Sequence, residues 1–423
     1  MRSAYGRVIP GEDEELTHVG PGTPMGELLR RHWQPVGVSE ELTELPKRIR
    51  ILGEDLVLFR DRKGRPGLLD LHCSHRGTSL EWGRVEDEGI RCCYHGWLYN
   101  VQGHCVEMPC EPPGYAQRRK IEHPAYPVME FGGLVFAYMG PPDRQPLFPM
   151  YDIYDLRHRQ DVVLRGMRIW GDCSIGYVRD CNWLQHLENV LDPWHLLILH
   201  TMISGAQFSG VLGLSQRPEI EFEETSLGAR YHVERDLPNG NRLTRYVEVV
   251  APNIYLVSNI HERGDRLIEN DRPSEFSWAV PIDDTHVSGL SIVAWPLVDG
   301  QPDPSFRPRT DTVTYDERGN KIRPGDQRNR SYEERQRQPD DMEAQEGQRP
   351  IAIHALENLV SSDKGVSLLR RKLGQSLSLM REGKDPLNIV RDPEKNRAIE
   401  THAYNTVRPI PAAGKRELAS RPA

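Results

Sequence analysis

Residues 73–97 read CSHRGTSLEWGRVEDEGIRCCYHGW. Cys73 and His75 form one pair, sixteen residues follow, and Cys92 and His95 form a second pair. Two Cys/His pairs on neighbouring loops can hold a metal centre: thiolates suit iron–sulfur or zinc, and imidazoles suit either. Structural zinc sites usually offer two-cysteine knuckles, and neither half supplies one. Glycines at 77, 83, 89, 96 and 103 break the stretch into short strands and turns.

Around this stretch the chain divides. Thr23 and Pro24 predict the start of a short N-terminal helix running through Leu28, Leu29 and Trp33. Arg48–Leu52 and Leu56–Phe59 read as strands, Gly133–Tyr138 as a buried strand, and Gly140-Pro141-Pro142 as a boundary. We expect an N-terminal helix in residues 1–35, a cluster-binding β-domain in 36–150 and a larger domain in 151–423. In the last, 242–258 and 276–296 read as antiparallel strands. Residues 299–349 form a polar excursion, disordered or draped over a partner. Ile351–Arg381 shows helical periodicity, and the tail after Asp385 looks irregular.

The 423 residues carry a net charge of −8 and 37% hydrophobic residues. An acidic balance argues against non-specific nucleic-acid binding. Seven cysteines in so long a chain do not suggest a disulfide framework. The acidic start, Glu12 to Glu15, shows no secretory leader. The longest apolar run, Leu134–Met139, is far short of the ~20 residues a membrane helix needs. A cytoplasmic protein is expected.

A second constellation lies at Asp192-Pro-Trp-His195-Leu-Leu-Ile-Leu-His200. Residues five apart on an α-helix point ~140° away from each other. His195 and His200 converge on one metal only through a helix break or a widened turn, and Pro193 supplies a plausible break. Two imidazoles and a carboxylate suit mononuclear iron(II) with positions left open for O₂ and substrate.

One Cys and one His from each of two loops is the ligand set of a Rieske [2Fe–2S] centre, with two thiolates on one iron and two imidazoles on the other. Cys73-Ser-His-Arg-Gly-Thr-Ser-Leu80 and Cys92-Cys-Tyr-His-Gly-Trp97 resemble the two loops of Rieske non-haem iron oxygenases. Ser74 and Cys93 stand where that family often has proline, and neither is a ligand position. Thr78 and Tyr94 occupy the positions of the loop-to-loop disulfide of respiratory Rieske proteins, so that bond cannot form. His72, Cys93, Cys105, Cys110, His104 and His123 are expected to be incidental neighbours.

The Asp192 segment is similar to the catalytic-iron motif of the same family. The resemblance implies His195 and His200 as iron ligands. It implies Asp192 as a carboxylate bridging His195 to the cluster ligand His95 of a neighbouring subunit, with Asn182, Trp183, Gln185 and Glu188 in support. Pro350-Ile351, Glu357-Asn-Leu359, Ser361-Ser-Asp363 and Arg370-Arg-Lys-Leu373 resemble the C-terminal region of phthalate-dioxygenase-type enzymes. That pattern implies Asp341 as third ligand, with Glu346 following it and Asp340 as the alternative one residue away.

The resemblance further implies an α+β fold: a Rieske β-domain, then an antiparallel-sheet catalytic domain of helix-grip, START-like form with a long C-terminal helix. It implies a homotrimer fed by NAD(P)H through a reductase or ferredoxin, with O₂ as co-substrate. The expected reaction is O-demethylation of a methoxylated aromatic acid, of the 5,5′-dehydrodivanillate kind. Ring dihydroxylation of an aromatic acid, or electron carriage without oxygenation, are the alternatives.

Overall fold

The computed structural model describes residues 6–157, 159–168, 178–204, 218–237, 239–257, 261–263, 266–268, 275–303, 314–315, 321–322 and 330–410. Thr23 caps the helix Pro24–Arg30, its hydroxyl accepting from the Gly26 N–H at 3.2 Å. A four-residue helix capped by Asp13, Glu14–Thr17, precedes it and has no counterpart in the sequence reading.

Three small antiparallel sheets follow. Gln34–Val38, Leu134–Ala137 and Val128–Phe131 form one. Lys47–Ile51, Glu54–Arg60, Pro66–Asp70 and Ala125–Tyr126 form the second. Arg84–Glu86, Gly89–Arg91, Leu98–Tyr99 and Cys105–Glu107 form the third. Lys47–Ile51 shows why one face is wet: Arg48 and Arg50 are exposed while Ile51 is buried, the period-two pattern of a half-covered strand. Leu69, Leu71, Leu80, Val85, Ile90 and Tyr99 pack around Cys73 and Cys92 as a small core of their own. The main core runs separately, from Leu28 through Phe136 and Trp278 to Leu369. Phe136 stands edge-on to Trp278 at 5.2 Å and to Phe148 at 4.9 Å. Truncating such a side chain to alanine costs about 3–5 kcal/mol.

From Val162 onward the chain builds a nine-stranded antiparallel sheet. Its order is Val162–Arg168, His286–Val298, Glu275–Asp283, Ile254–Val257, Asn241–Val250, Gly228–Asp236, Glu219–Glu224. Gln301–Pro302 joins at His286–Val298, and Asn405–Pro409 pairs with the first half of Asn241–Val250. The 18-residue helix Lys364–Arg381 lies against Gly228–Asp236 and Glu219–Glu224, burying Leu368, Leu369, Leu373 and Leu377. This is the α+β, helix-grip arrangement expected.

Three expectations need correction. The long helix starts at Lys364, not Ile351. Residues 351–363 are extended with short turns, Leu359 is 45% exposed, and the Asp363 carboxylate accepts from the Val360 N–H at 2.8 Å just before the helix begins. The tail is not wholly irregular, since Asn405–Pro409 is a sheet strand. The polar excursion ends in two helices, Tyr332–Arg337 and Asp341–Glu346, each opened by a reciprocal cap, Ser331 with Glu334 and Asp340 with Glu343. Residues 304–313, 316–320 and 323–329 of that excursion lie outside the described residues. No helix among the described residues is long and apolar enough to cross a membrane.

Candidate metal centres

The two Cys/His loops share one backbone design. The Cys73 N–H bonds the Thr78 carbonyl at 3.0 Å, and the Cys92 N–H bonds that of Trp97 at 2.8 Å. The Gly77 N–H returns to the Cys73 carbonyl at 2.8 Å, and the Gly96 N–H to that of Cys92 at 3.1 Å. Both turns close through a left-handed residue, Gly77 at φ +74° and Gly96 at φ +73°, a conformation that favours glycine. The loops place the cysteines inward, each 3% exposed, and the imidazoles outward, His75 exposed and His95 half-buried. The His75 and His95 rings lie 4.6 Å apart.

Burial raises the Cys92 thiol most; the Tyr94 main chain opposes this, and the adjacent Cys73 sulfur raises it further. Two buried thiols side by side with main-chain donors aimed at one of them suit a cationic metal, which deprotonates such groups. Burial, followed by His75 and Arg76, lowers the His95 imidazole and favours the neutral form a metal needs. The residues present therefore fit a [2Fe–2S] cluster.

Sequence reasoning passed over three supports of these loops. The Tyr99 hydroxyl lies 3.2 Å from the Cys73 sulfur. Trp97 stacks on His75 at 4.5 Å. His123, expected to be incidental, packs on Tyr99 at 4.7 Å and reaches the Ser74 hydroxyl at 2.7 Å and the Asp70 carbonyl at 2.9 Å. The aromatic positions two and four residues after His95 were the available signal. Cys93, Cys110, His72 and His104 are exposed, and Cys105 is a buried thiol.

The second centre hangs on a helix that changes pitch. Trp183–Val190 is α-helical, and Asp192 breaks the path with extended backbone. Pro193–Leu197 resumes it, and Ile198–Ile203 is a π-helix. The wider π turn brings residues five apart toward one side. The His195 and His200 rings stand 5.5 Å apart, and with Asp341 they offer ligand atoms all within 4.8 Å of one another. Asp341 Oδ1 lies 3.2 Å from His200 Nε2 and 3.6 Å from His195 Nε2. Burial alone would raise the Asp341 carboxyl; His200, His195 and Arg179 outweigh it and hold the group well below the usual carboxylate range. Burial lowers His195, against the pull of Asp341 and Asp192. An ionised carboxylate beside two imidazoles fits a divalent iron.

Asp340 is turned elsewhere. It is 4% exposed, and its Oδ1 accepts from the Asp341 N–H at 2.6 Å as the helix cap. Glu346 accepts from the Asp180 N–H at 3.0 Å. Asn189, which the sequence did not single out, donates to Asp341 Oδ1 at 3.1 Å. Gln185 fastens the two halves together. Its amide donates to the carbonyls of Gln345 and Arg349 at 2.9 and 3.0 Å, and its oxygen accepts from the Ala352 N–H at 2.9 Å. Asn182 caps Trp183–Val190 and ties it to Thr17 and Asp284, while Trp183 is fully buried.

Asp192 Oδ1 caps the turn into His195, accepting from the Trp194 and His195 N–H groups at 2.8 and 3.4 Å. His195 Nδ1 bonds the Asp192 main-chain carbonyl, and the second carboxylate oxygen is 3.9 Å away. Nδ1–H is thereby the donor and Nε2 is left facing Asp341. A cleft of about 560 Å³ opens beside Asp192 and His195, with Glu188, Arg349, Glu357 and Arg370 on its wall. Glu188, His354 and Glu357 also bring ligand atoms within 4.8 Å, but Arg370 binds Glu188 at 2.6 Å and both oxygens of Glu357 at 2.6 and 2.9 Å. That group is an ion-pair network.

The Rieske [2Fe-2S] domain family matches residues 32–128. The alpha subunit of phenoxybenzoate dioxygenase from Ectopseudomonas oleovorans is 42% identical over 92% of this chain and 90% of its own. The oxygenase subunit of tert-butanol monooxygenase / tert-amyl alcohol desaturase from Aquincola tertiaricarbonis is 40% identical over 89% of this chain and 78% of its own. That of 5,5′-dehydrodivanillate O-demethylase from a Sphingobium species is 33% identical over 92% and 85%. Among solved structures, dicamba monooxygenase bound to dicamba matches 84% of this chain and 99% of that one, with a TM-score of 0.55. At 18% identity the likeness concerns the fold.

Proposed function

The chain belongs to the Rieske non-haem iron oxygenases as an oxygenase component, and on that premise we propose that it removes an O-methyl group oxidatively from a methoxylated aromatic acid. As a member it is an enzyme acting on aromatic substrates, equipped with a [2Fe–2S] cluster and a mononuclear iron. Rieske oxygenases draw electrons from ferredoxin or reductase partners. When bound, the cluster relays single electrons and the iron activates O₂.

The observation that carries the reading is the convergence of His195, His200 and Asp341 within 4.8 Å. In our reading these three hold the iron, and Cys73, His75, Cys92 and His95 hold the cluster. Asp192 fixes the His195 tautomer through its carbonyl and keeps a carboxylate available at the cleft. That carboxylate receives His95 of a neighbouring copy, and the assembly is a ring-shaped homotrimer. The charged cleft wall supports such docking, because a polar rim suits a protein surface. The enzyme works in the cytoplasm, where an NAD(P)H-dependent reductase supplies it.

Demethylation is favoured because a relative matched over 92% of this chain is named as an O-demethylase. Ring dihydroxylation is the second reading, favoured by the word dioxygenase in the name of the 42% relative. A matched reductase, NAD(P)H and a panel of methoxybenzoates separate the two. Stoichiometric formaldehyde is the expected product; a cis-diol without formaldehyde would replace demethylation by ring attack.

A further inference from the structure

Ser74 stands between two residues of the first Cys/His loop, Cys73 and His75. Its hydroxyl lies 2.7 Å from Nδ1 of His123, 49 positions further along the chain. The other ring nitrogen, Nε2, lies 2.9 Å from the Asp70 carbonyl. A carbonyl only accepts, so Nε2 carries the ring proton. Nδ1 of the neutral ring is then the acceptor, and the Ser74 hydroxyl donates to it. Burial, opposed by the Asp70 carbonyl and the Asp70 charge, favours that neutral form.

The backbone holds the same ring in place. The His123 N–H donates to the Gly103 carbonyl at 2.8 Å, and the Asp70 N–H donates to the Pro124 carbonyl at 2.9 Å. A Cβ on Gly103 would collide with the His123 carbonyl, so the two segments meet main chain to main chain. His123 is 2% exposed. An imidazole fixed at both nitrogens and on both sides of its Cα is a rigid plate.

That plate lies against Tyr99, with ring centres 4.7 Å apart and the planes tilted by 33°. Trp97 is the more distant ring, at 6.4 Å. Tyr99 is fully buried, and its hydroxyl is 3.2 Å from the Cys73 sulfur. With that sulfur present as a thiolate, only the phenol can donate. Reduction adds negative charge to an iron–sulfur cluster, so a donor at a ligand sulfur favours the reduced form. Its worth depends on distance and angle, and hence on what holds the phenol ring.

We propose that Ser74 and His123 are positioning residues for the cluster: they brace Tyr99 so that its hydroxyl stays on the Cys73 sulfur, and they thereby raise the potential at which the cluster accepts an electron. A proline at position 74 would stiffen the loop through its own ring but has no hydroxyl to reach His123. The proposal rests on the reading of Cys73, His75, Cys92 and His95 as cluster ligands, and it assigns the tuning of electron entry to two residues outside that set.

The test is a redox titration of the cluster in the intact protein, followed by absorbance. Wild type is compared with Ser74→Ala, His123→Ala, Tyr99→Phe and the two double variants that carry Tyr99→Phe. His123→Ala should lower the reduced-to-oxidised ratio at a fixed potential about fivefold, on the order of 40 mV at 59 mV per tenfold. Ser74→Ala, which removes one hydrogen bond at an exposed residue, should lower it about twofold, on the order of 20 mV. Neither substitution should shift the midpoint further in the Tyr99→Phe background, because the donor they position is already gone. A merely structural role would lower the melting temperature and leave the midpoint alone, or would add to the effect of Tyr99→Phe. Ser74→Ala decides the matter should His123→Ala fail to load a cluster. Unmoved midpoints in Ser74→Ala or Tyr99→Phe, or shifts that add to that of Tyr99→Phe, would overturn the brace. Wild-type protein that takes up no two-iron cluster would remove the ligand reading itself, whereas a loaded cluster with unmoved midpoints removes the brace alone.

Discussion

Asp192 performs two tasks with separable energies, and substitution divides them. Its Oδ1 caps Pro193–Leu197 through the Trp194 and His195 N–H groups. Asparagine caps a helix about as well as aspartate, so Asp192→Asn should change stability by no more than a few tenths of a kcal/mol. Alanine cannot cap, and Asp192→Ala should cost about 1 kcal/mol. The main-chain carbonyl that receives His195 Nδ1 survives in both variants. Iron retention should therefore survive too. What disappears is the anionic oxygen at the cleft, 35% exposed and free to meet a partner's imidazole. Partners of metal-bound histidines are worth about 10- to 100-fold in activity. Asp192→Asn should lose at least that much turnover at unchanged iron content, cluster absorbance and melting temperature. Rapid mixing of the pre-reduced variant with O₂ and substrate should show the same loss in cluster reoxidation. Turnover within twofold of wild type would refute the bridging role. Loss of iron from Asp192→Asn would instead mean that the carboxylate, not the carbonyl, holds His195.

Three further outcomes follow from neighbouring geometry. Asp341→Ala should lose mononuclear iron, measured by metal analysis, while Asp340→Ala should keep it and give up about 1 kcal/mol of capping; the opposite pattern would move the ligand by one residue. Tyr99→Phe removes the hydroxyl next to the Cys73 sulfur. If that bond is worth about 1 kcal/mol more to the reduced cluster, the midpoint should fall by on the order of 40 mV in a redox titration, at 59 mV per tenfold; an unchanged midpoint would show the contact to be inert. Glu248 is fully buried, accepting from the His402 N–H at 2.6 Å and the Thr225 hydroxyl at 2.8 Å, and burial pushes its carboxyl up to about 7. A raised carboxyl favours the fold below its ordinary value, and that advantage is lost as pH climbs toward 7, at a cost of about 3 kcal/mol. Glu248→Gln should outmelt wild type at pH 8 and match it near pH 4.5, and a shift of equal size at both would contradict the buried charge.

The legible parts of both centres are those written locally. Cys73, His75, Cys92 and His95 lie on two turns joined by a short hairpin, so spacing alone brings them together. His195 and His200 needed one physical step, because an α-helix separates them and a π turn does not. Asp341 is 141 residues beyond His200, and no periodicity links them. Only the likeness of the C-terminal stretch pointed there. The choice between Asp340 and Asp341 is a matter of helix-start geometry, which spacing cannot reveal: one side chain bonds back to the main chain and its neighbour is thrown inward. The misplaced helix start reflects leucines at 356 and 359 that mimic helical spacing in an extended segment.

The pairing of Asn405–Pro409 sets the order in which this molecule can mature. Asn241–Val250 meets Gly228–Asp236 along nearly its whole length, but its other edge is shared: Ile254–Val257 covers residues 247–250 and the C-terminal strand covers 241–245. Arg245 and Asn405 are 160 residues apart, so the largest sheet cannot be completed until almost the entire chain has left the ribosome. Until then the backbone of Asn241–Arg245 is an open edge, able to recruit a strand from another nascent chain. A truncation at residue 404 would make that transient exposure permanent. Inclusion-body formation, rather than a quiet loss of activity, is the phenotype it predicts.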